Sequence, residues 1–63
     1  VGKTVMTYLT EYRIAKAAVM LKNTDESVTA VASLVGFDDM SYFSRTFKRI
    51  KGKTPTEYRK EQS

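Results

Sequence analysis

The strongest constraint on this sequence is a sharp break between two helical patterns at Gly36. Before it, apolar residues recur at the three- and four-residue steps of an amphipathic helix: Val28, Val31, Ala32 and Val35. After it, a second apolar row follows at i, i+4 and i+7: Phe43, Phe47 and Ile50. Glycine commonly ends a helix because it adopts the left-handed conformation at little cost. Residues 28–50 therefore predict two short helices joined at a tight turn, each with one buried face.

The turn and its flanks complete a helix-turn-helix pattern over residues 27–51. Phe37 is expected to anchor the turn, and either Asp38 or Asp39 is expected to cap the second helix. Ala32 and Gly36 are small where the backbones must approach and turn sharply. The predicted fold class is all-α and homeodomain-like.

A long helix is predicted over residues 4–22, with Thr4 as its N-cap and no Gly or Pro inside it. It has two apolar sides that point in nearly opposite directions. One consists of Val5, Leu9 and Tyr12, and the other of Ile14, Ala17, Ala18 and Leu21. Such a helix is interpreted as a connector, which buries its second half in this domain and offers its first half to another partner.

The remaining boundaries are also marked by capping signals. Asp25 or Ser27 can cap the helix that starts near Val28. A short C-terminal helix is predicted over residues 54–61, because the segment TPTE has Thr54 as N-cap, proline in the first turn and Glu57 where a capping box requires it. Tyr58 is its expected anchor to the core.

An internal echo links the two ends of the chain. GKTVMTY at 2–8 and GKTPTEY at 52–58 share Gly, Lys, Thr and Tyr at the same offsets, 50 residues apart. The second copy follows a helix-turn-helix, so the first copy is expected to follow one too. We therefore expect residues 1–63 to be a single-domain fragment that lacks a first helix-turn-helix unit.

Composition narrows the function classes. The 63 residues include no Cys and no His, so a disulfide framework is excluded and neither a zinc site nor any other cofactor is expected. Without His, Cys or a carboxylate pair on an apolar floor, enzymatic chemistry is the weakest hypothesis. The chain also contains no apolar run of about 20 residues and no leader segment, which predicts a soluble cytoplasmic protein without a membrane partner.

The charge distribution favours a polyanionic partner. Residues 1–44 have a net charge of −1, whereas residues 45–63 have a net charge of +5. A basic field on one end of a small domain steers a polyanion to that end. The alternative is that these charges are only solvated surface charges and bind no polyanion.

The second helix of the turn motif is predicted to read double-stranded DNA in a major groove about 12 Å wide. Arg45 can offer two hydrogen bonds to guanine, Ser41 can pair with several bases, and Met40 can contact a thymine methyl group. Tyr42 either contacts DNA or packs on the preceding helix. The expected phosphate contacts are Ser44, Lys48, Arg49, Lys53 and Thr54. Phe43 and Phe47 could form a base-stacking platform, but their spacing favours the core.

These residues carry a family resemblance. VASLVGFDDMSYFSRTFKRIKGKTPTEYR, within residues 27–59, closely resembles the C-terminal signature of AraC/XylS-type bacterial transcription regulators. YLTEYRIAKAAVML, at 8–21, resembles that family's helix connecting two helix-turn-helix units. The resemblance implies two units in successive major grooves, attached to an effector or dimerisation domain, with RNA polymerase as a further candidate partner. It assigns base reading to Met40, Ser41 and Arg45, with Tyr42 and Ser44 beside them.

A competing hypothesis uses the other end of the molecule. The row Val5, Leu9 and Tyr12 could bind another helix, which would make the chain a protein-interaction module with a merely soluble basic end. Self-association that is independent of DNA would distinguish this class from a DNA-binding module.

Overall fold

The computed structural model describes residues 4–62, apart from the side chain of Gln62, and folds them into four helices without a strand in that range. Helix α1 spans Val5–Asn23, α2 spans Val28–Leu34, α3 spans Met40–Lys51 and α4 spans Pro55–Gln62. The predicted all-α helix-turn-helix fold is confirmed. Gly2, Lys3 and Ser63 lie outside the described residues.

Side-chain caps set where these helices begin. Thr4 Oγ1 accepts from the Thr7 N–H at 3.1 Å, and Ser27 Oγ accepts from the Ala30 N–H at 3.0 Å. Asp39 Oδ1 accepts from the Ser41 N–H at 2.8 Å and the Tyr42 N–H at 3.2 Å. Of the alternatives left open by the sequence, Ser27 and Asp39 are therefore the caps.

The echoed segments play the same structural role at their shared threonines. Thr4 caps α1, and Thr54 caps α4, where Thr54 Oγ1 accepts from the Glu57 N–H at 3.2 Å. Each copy thus opens a helix immediately after its threonine. That a duplication produced the echo stays a prediction.

The core lies where the second half of α1 meets the other three helices. Its fully or nearly buried apolar side chains are Ile14, Ala17, Ala18, Leu21, Val31, Ala32, Val35, Phe37, Phe43 and Phe47. Aromatic rings connect the turn to α4, with centroid separations of 5.1 Å for Phe37–Phe43, 5.8 Å for Phe43–Phe47 and 5.4 Å for Phe47–Tyr58. Phe43 and Phe47 are therefore core residues, and the base-stacking alternative is wrong.

Ile50 differs from its predicted place in the buried row, since 36% of it is exposed. Its direction on α3 matches that of Phe43 two turns earlier. However, at that level it lines an open groove between α3 and the first half of α1. Among the described residues no side chain closes this groove, so an apolar residue at the right helical position stays partly exposed.

The turn between α2 and α3 depends on Gly36. Its φ is +104°, its N–H donates to Ser33 O at 3.1 Å, and the next N–H, of Phe37, donates to Ala32 O at 2.8 Å. A Cβ at residue 36 would lie 3.2 Å from the Nε of Arg13 on α1. The close approach is thus to a side chain of α1 and not, as the sequence suggested, to the crossing of the two turn helices.

We expect Gly36→Ala to lower the free energy of unfolding by about 1–2 kcal/mol, because an L-residue is strained at this positive φ. Urea denaturation followed by circular dichroism measures the change. Gly52→Ala is the matched control, since Gly52 has φ +84° but no atom within 4 Å of the added Cβ. A smaller loss for Gly36→Ala than for Gly52→Ala would contradict the crowding at Arg13.

Helix α4 is fastened to the end of α1 by Arg59, whose role the sequence analysis missed. Arg59 Nε donates to Leu21 O at 3.1 Å, and its Nη2 donates to Thr24 O at 3.3 Å. A guanidinium at these last carbonyls also interacts favourably with the negative end of the α1 dipole. No local pattern signals this contact, because the donor and its acceptors are more than 30 residues apart.

The predicted capping box at the start of α4 is present. The Thr54 N–H donates to Glu57 Oε1 at 2.9 Å, which completes the reciprocal pair with the threonine hydroxyl. This backbone hydrogen bond, then the Thr54 side chain, and then the charges of Lys48 and Lys53 lower the pKa of Glu57. The carboxylate is therefore stabilised by the folded state.

We expect Glu57→Gln to lower the stability of the domain near neutral pH and to have almost no effect on its stability in acid. A lowered folded-state pKa contributes stability above the unfolded pKa and loses it as the pH falls through the lower, folded value. Glutamine keeps an acceptor for Thr54 but lacks the charge. Thermal unfolding from pH 7 to pH 2 measures the difference, with Glu26→Gln on an exposed position as control. If the difference in melting temperature between wild type and Glu57→Gln stayed constant from pH 7 to pH 2, the lowered pKa of Glu57 would be contradicted.

Candidate nucleic-acid interface

The exposed face of α3 is centred on a row of Ser41, Arg45 and Lys48. These side chains follow one another at i, i+4 and i+7, and all three are exposed. The buried Phe43, Thr46 and Phe47 hold the opposite side of the helix against the core. Asp39 fixes the start of the helix. The row is therefore presented outward by a helix whose position the core determines.

Met40 and Ser44 form one flank of this row, and both are half-buried. Met40 packs against the core cluster, so only part of its side chain is available at the surface. Together with Ser41 and Arg45 they line one shallow depression on α3. The structure thus brings four of the predicted DNA-contacting residues together, with part of the Met40 side chain taken up by packing on the core.

Tyr42 and Arg49 form the other flank, next to α1. The Tyr42 ring lies 5.8 Å from the Phe37 ring, and 46% of the residue is exposed. The tyrosine therefore packs on the turn while keeping one side open. Tyr42 and Arg49 line a second depression with Arg45 and Thr46, and they also line the groove beneath the first half of α1.

The charge of α3 has one sign. The helix contains Arg45, Lys48, Arg49 and Lys51, and it contains no Asp or Glu. Three of these basic residues lie in the last turn, where the helix dipole favours them as well. Helix stabilisation is thus one reason for their presence, but it does not explain Arg45 in the middle of the exposed row.

The last two predicted phosphate contacts already have partners within the chain. The Lys53 ammonium forms an ion pair with the Glu61 carboxylate, and the Thr54 N–H donates to Glu57. A phosphate would have to exchange with the first carboxylate and compete with the second. Lys48 and Arg49, by contrast, are exposed, and no salt bridge holds them within the described part of the chain.

Other kinds of site find no support among residues 4–62. There, no group of three or more His, Cys, Asp or Glu residues lies close enough to hold a metal ion. The described helices also include none that is long and apolar enough to cross a membrane. The basic face of α3, by contrast, is held at the surface by the buried side of the same helix and by its Asp39 cap.

Comparison with known proteins places this geometry among transcription regulators. A family model described as "Helix-turn-helix domain" matches residues 1–61. The chain is 45% identical over 56 residues to the transcriptional activator RhaR of Mannheimia succiniciproducens, covering 89% of this chain and 20% of the relative. It is 40% identical over 58 residues to the arabinose operon regulatory protein of Escherichia coli, covering 92% of this chain and 20% of that protein.

Solved structures agree on the fold. The C-terminal domain of the two-component response regulator yesN from Fusobacterium nucleatum superposes with a TM-score of 0.87 at 36% identity, over 92% of this chain and 56% of that chain. A Listeria innocua protein of unknown function superposes with a TM-score of 0.93 at 39% identity, over 98% of this chain and 59% of that one. The chain thus spans about a fifth of the curated relatives and somewhat more than half of these two structures.

Proposed function

Because this chain belongs to the AraC-type helix-turn-helix family of transcription regulators, we propose that it reads double-stranded DNA with α3 in the major groove. The observation that carries this proposal is the exposed row Ser41, Arg45 and Lys48 on a helix whose back is buried and whose charges are all positive. Regulators related to this chain support DNA binding in transcription regulation as its general role. Direct reading of bases is the finer step that we propose here.

The base-reading roles follow from position on the helix. Arg45 lies in the middle of the exposed row, where its two-pronged donor can reach a guanine edge. Ser41, one turn nearer the N-terminus, can pair with several bases. Met40 offers a thymine methyl contact from the part of its side chain that lines the depression, and Tyr42 contributes through its open side.

The phosphate contacts divide into two groups. Lys48 and Arg49 are exposed at the end of α3 and can approach the DNA backbone directly, with the Ser44 hydroxyl as a further donor at the other flank. Lys53 and Thr54 can contribute only if DNA exchanges with their carboxylate partners. We therefore expect the first group to supply most of the salt-sensitive affinity.

We expect the affinity of this domain for duplex DNA to fall steeply with salt. Each neutralised phosphate contributes a slope of about −0.9 to a plot of log affinity against log salt concentration. Two to four phosphate contacts therefore give a slope of about −2 to −3.5. Fluorescence anisotropy at several salt concentrations measures it, and poly-glutamate of matched length is the control polyanion.

A flat salt response would contradict the proposal, since the basic face would then not contact phosphates. Equal affinity for poly-glutamate and duplex DNA would reduce the interaction to charge attraction alone. Preference for single-stranded DNA would also count against it, because Phe43 and Phe47, the two α3 rings spaced like a stacking platform, are buried in the core.

The relatives also support a proposal about the protein to which this domain belongs. They are about five times as long as the matched segment, which leaves room for a first helix-turn-helix and an effector or dimerisation domain. We propose that the parent contacts DNA through two units, works in the cytoplasm where the chromosome lies, and acts on RNA polymerase. Sequencing the reading frame upstream of Val1 tests the first point, because another helix-turn-helix should be found there that ends in the GKT segment at residues 2–4.

A further inference from the structure

The basic end of the chain contains only two acidic side chains, and both are engaged where α3 gives way to α4. Glu57 and Glu61 are the only Asp or Glu residues in 45–63. Glu57 accepts from the Thr54 N–H at 2.9 Å, and Glu61 forms an ion pair with Lys53. Lys53 and Thr54 are also the two predicted phosphate contacts that lie outside α3. Both carboxylates therefore occupy donors that a DNA phosphate could otherwise use.

The two carboxylates differ in what they do for the fold. Glu57 belongs to a reciprocal capping box and so stabilises the start of α4. Glu61 lies in the last turn of α4, where a negative charge is unfavourable to the helix dipole. Its ion pair joins side chains that are 58% exposed for Glu61 and 35% exposed for Lys53. Because exposed pairs of this kind contribute little to stability, the fold alone does not explain a carboxylate at residue 61.

The paired Lys53 adjoins the basic face of α3. The pKa of Glu57 is lowered first by its hydrogen bonds with Thr54 and then by the charges of Lys48 and Lys53. Both lysines therefore lie near the same carboxylate. Lys48 is also the last residue of the exposed row on α3, so a DNA strand that contacts Lys48 passes near Lys53.

We propose that Glu61 competes with DNA for Lys53 and thereby lowers the affinity of this domain for the DNA backbone. This inference rests on the proposed reading of DNA by α3. The Glu61 carboxylate offers the ammonium a charged oxygen, as a phosphate does, and it must be displaced before Lys53 can contact DNA. A carboxylate beside the DNA backbone also repels the phosphates.

The competition is expected to act on every DNA sequence alike, because phosphate contacts carry no base information. Non-specific binding comes almost entirely from such contacts. Glu61 would therefore limit the time that the domain spends on unrelated DNA, while the base contacts proposed for Arg45 are unchanged. Since the ion pair is exposed to water, a phosphate can exchange with the carboxylate without unfolding any helix.

Glu61→Gln tests the proposal by releasing Lys53. Fluorescence anisotropy at fixed low salt should show affinity higher by about two- to fivefold, on a selected duplex and on a scrambled one, as loss of an exposed ion pair allows. The salt slope should become steeper by up to about 0.9, which corresponds to one more phosphate contact. Glu26→Gln is the matched control, because it removes the same charge from an exposed residue between α1 and α2. An equal rise for both variants would overturn the proposal, since net charge alone would then explain it.

Lys53→Met, which keeps the side-chain stem and removes the charge, completes a double-mutant cycle. In the wild-type background it should change the affinity for DNA less than about twofold, because Lys53 is already held by Glu61. In the Glu61→Gln background it should abolish the whole gain. A gain that persisted without the Lys53 charge, or one confined to the selected duplex, would overturn the competition for Lys53.

Thermal unfolding followed by circular dichroism checks that each variant is folded. A wild-type chain whose affinity for duplex DNA does not depend on salt would overturn the proposed function, and this inference with it. A wild-type chain with the expected salt slope, together with a Glu61→Gln variant that binds no more tightly than Glu26→Gln, would overturn this inference alone. The two failures are therefore distinguishable in one set of titrations.

Discussion

Phe47→Ala is expected to leave this domain largely unfolded at 25 °C. Phe47 is 0% exposed, and its ring lies between those of Phe43 and Tyr58, so it joins α3 to α4. Replacing a buried phenylalanine by alanine costs about 3–5 kcal/mol, because transfer free energy is lost and a cavity remains. A single core in a domain of this size rarely supplies more than about 3–5 kcal/mol in total. The substitution therefore removes most or all of the stability.

Far-UV circular dichroism and urea denaturation measure this loss. Ile50→Ala is the matched control, because Ile50 is on the same helix and apolar but partly exposed, and it should cost well under half as much. A Phe47→Ala variant that stayed folded while losing DNA affinity would contradict the core assignment and would return Phe47 to a base-stacking role.

Arg45→Ala is expected to reduce affinity for the best DNA sequence by about 5- to 150-fold, with a smaller loss on scrambled duplexes. A two-pronged contact to guanine contributes about 1–3 kcal/mol of discrimination. At about 1.4 kcal/mol per factor of ten, that energy corresponds to the expected fold-change. Because the Arg45 side chain is exposed, the fold should be unaffected.

Selection from random duplexes with the wild-type domain supplies the best sequence, and fluorescence anisotropy at fixed salt then compares it with a scrambled duplex. Lys48→Ala is the matched control from the next turn of the same helix. It should weaken binding to all sequences about equally and reduce the salt slope by about 1, as loss of a phosphate contact does. If Arg45→Ala also lost the same factor on both duplexes, Arg45 would be a phosphate contact and not a base reader.

The helix boundaries were accessible from the sequence because capping is local. Thr4, Ser27, Asp39 and Thr54 each accept from an N–H two or three residues away. Such a bond requires only the right residue type at the right spacing. Gly36 and Gly52 likewise adopt positive φ for reasons that reside in the turn itself.

The contacts that sequence analysis missed join residues beyond the reach of a capping pattern, or they depend on what covers a surface. Arg59 reaches carbonyls at the end of α1, and Lys53 pairs with Glu61 across a helix start. Ile50 has a core-facing position, but its exposure depends on a groove that other elements leave open. The pattern of a segment specifies which way a side chain points, but not what it meets.

By itself, the sequence determined the all-α helix-turn-helix, its caps and the exposed basic row on α3, because periodicity and capping act within a few residues. Only the tertiary structure decided that Met40 packs partly against the core, that Lys53 already has a carboxylate partner, and that one face of α1 stays exposed. These depend on how the helices pack and on which side chains that packing covers or brings together.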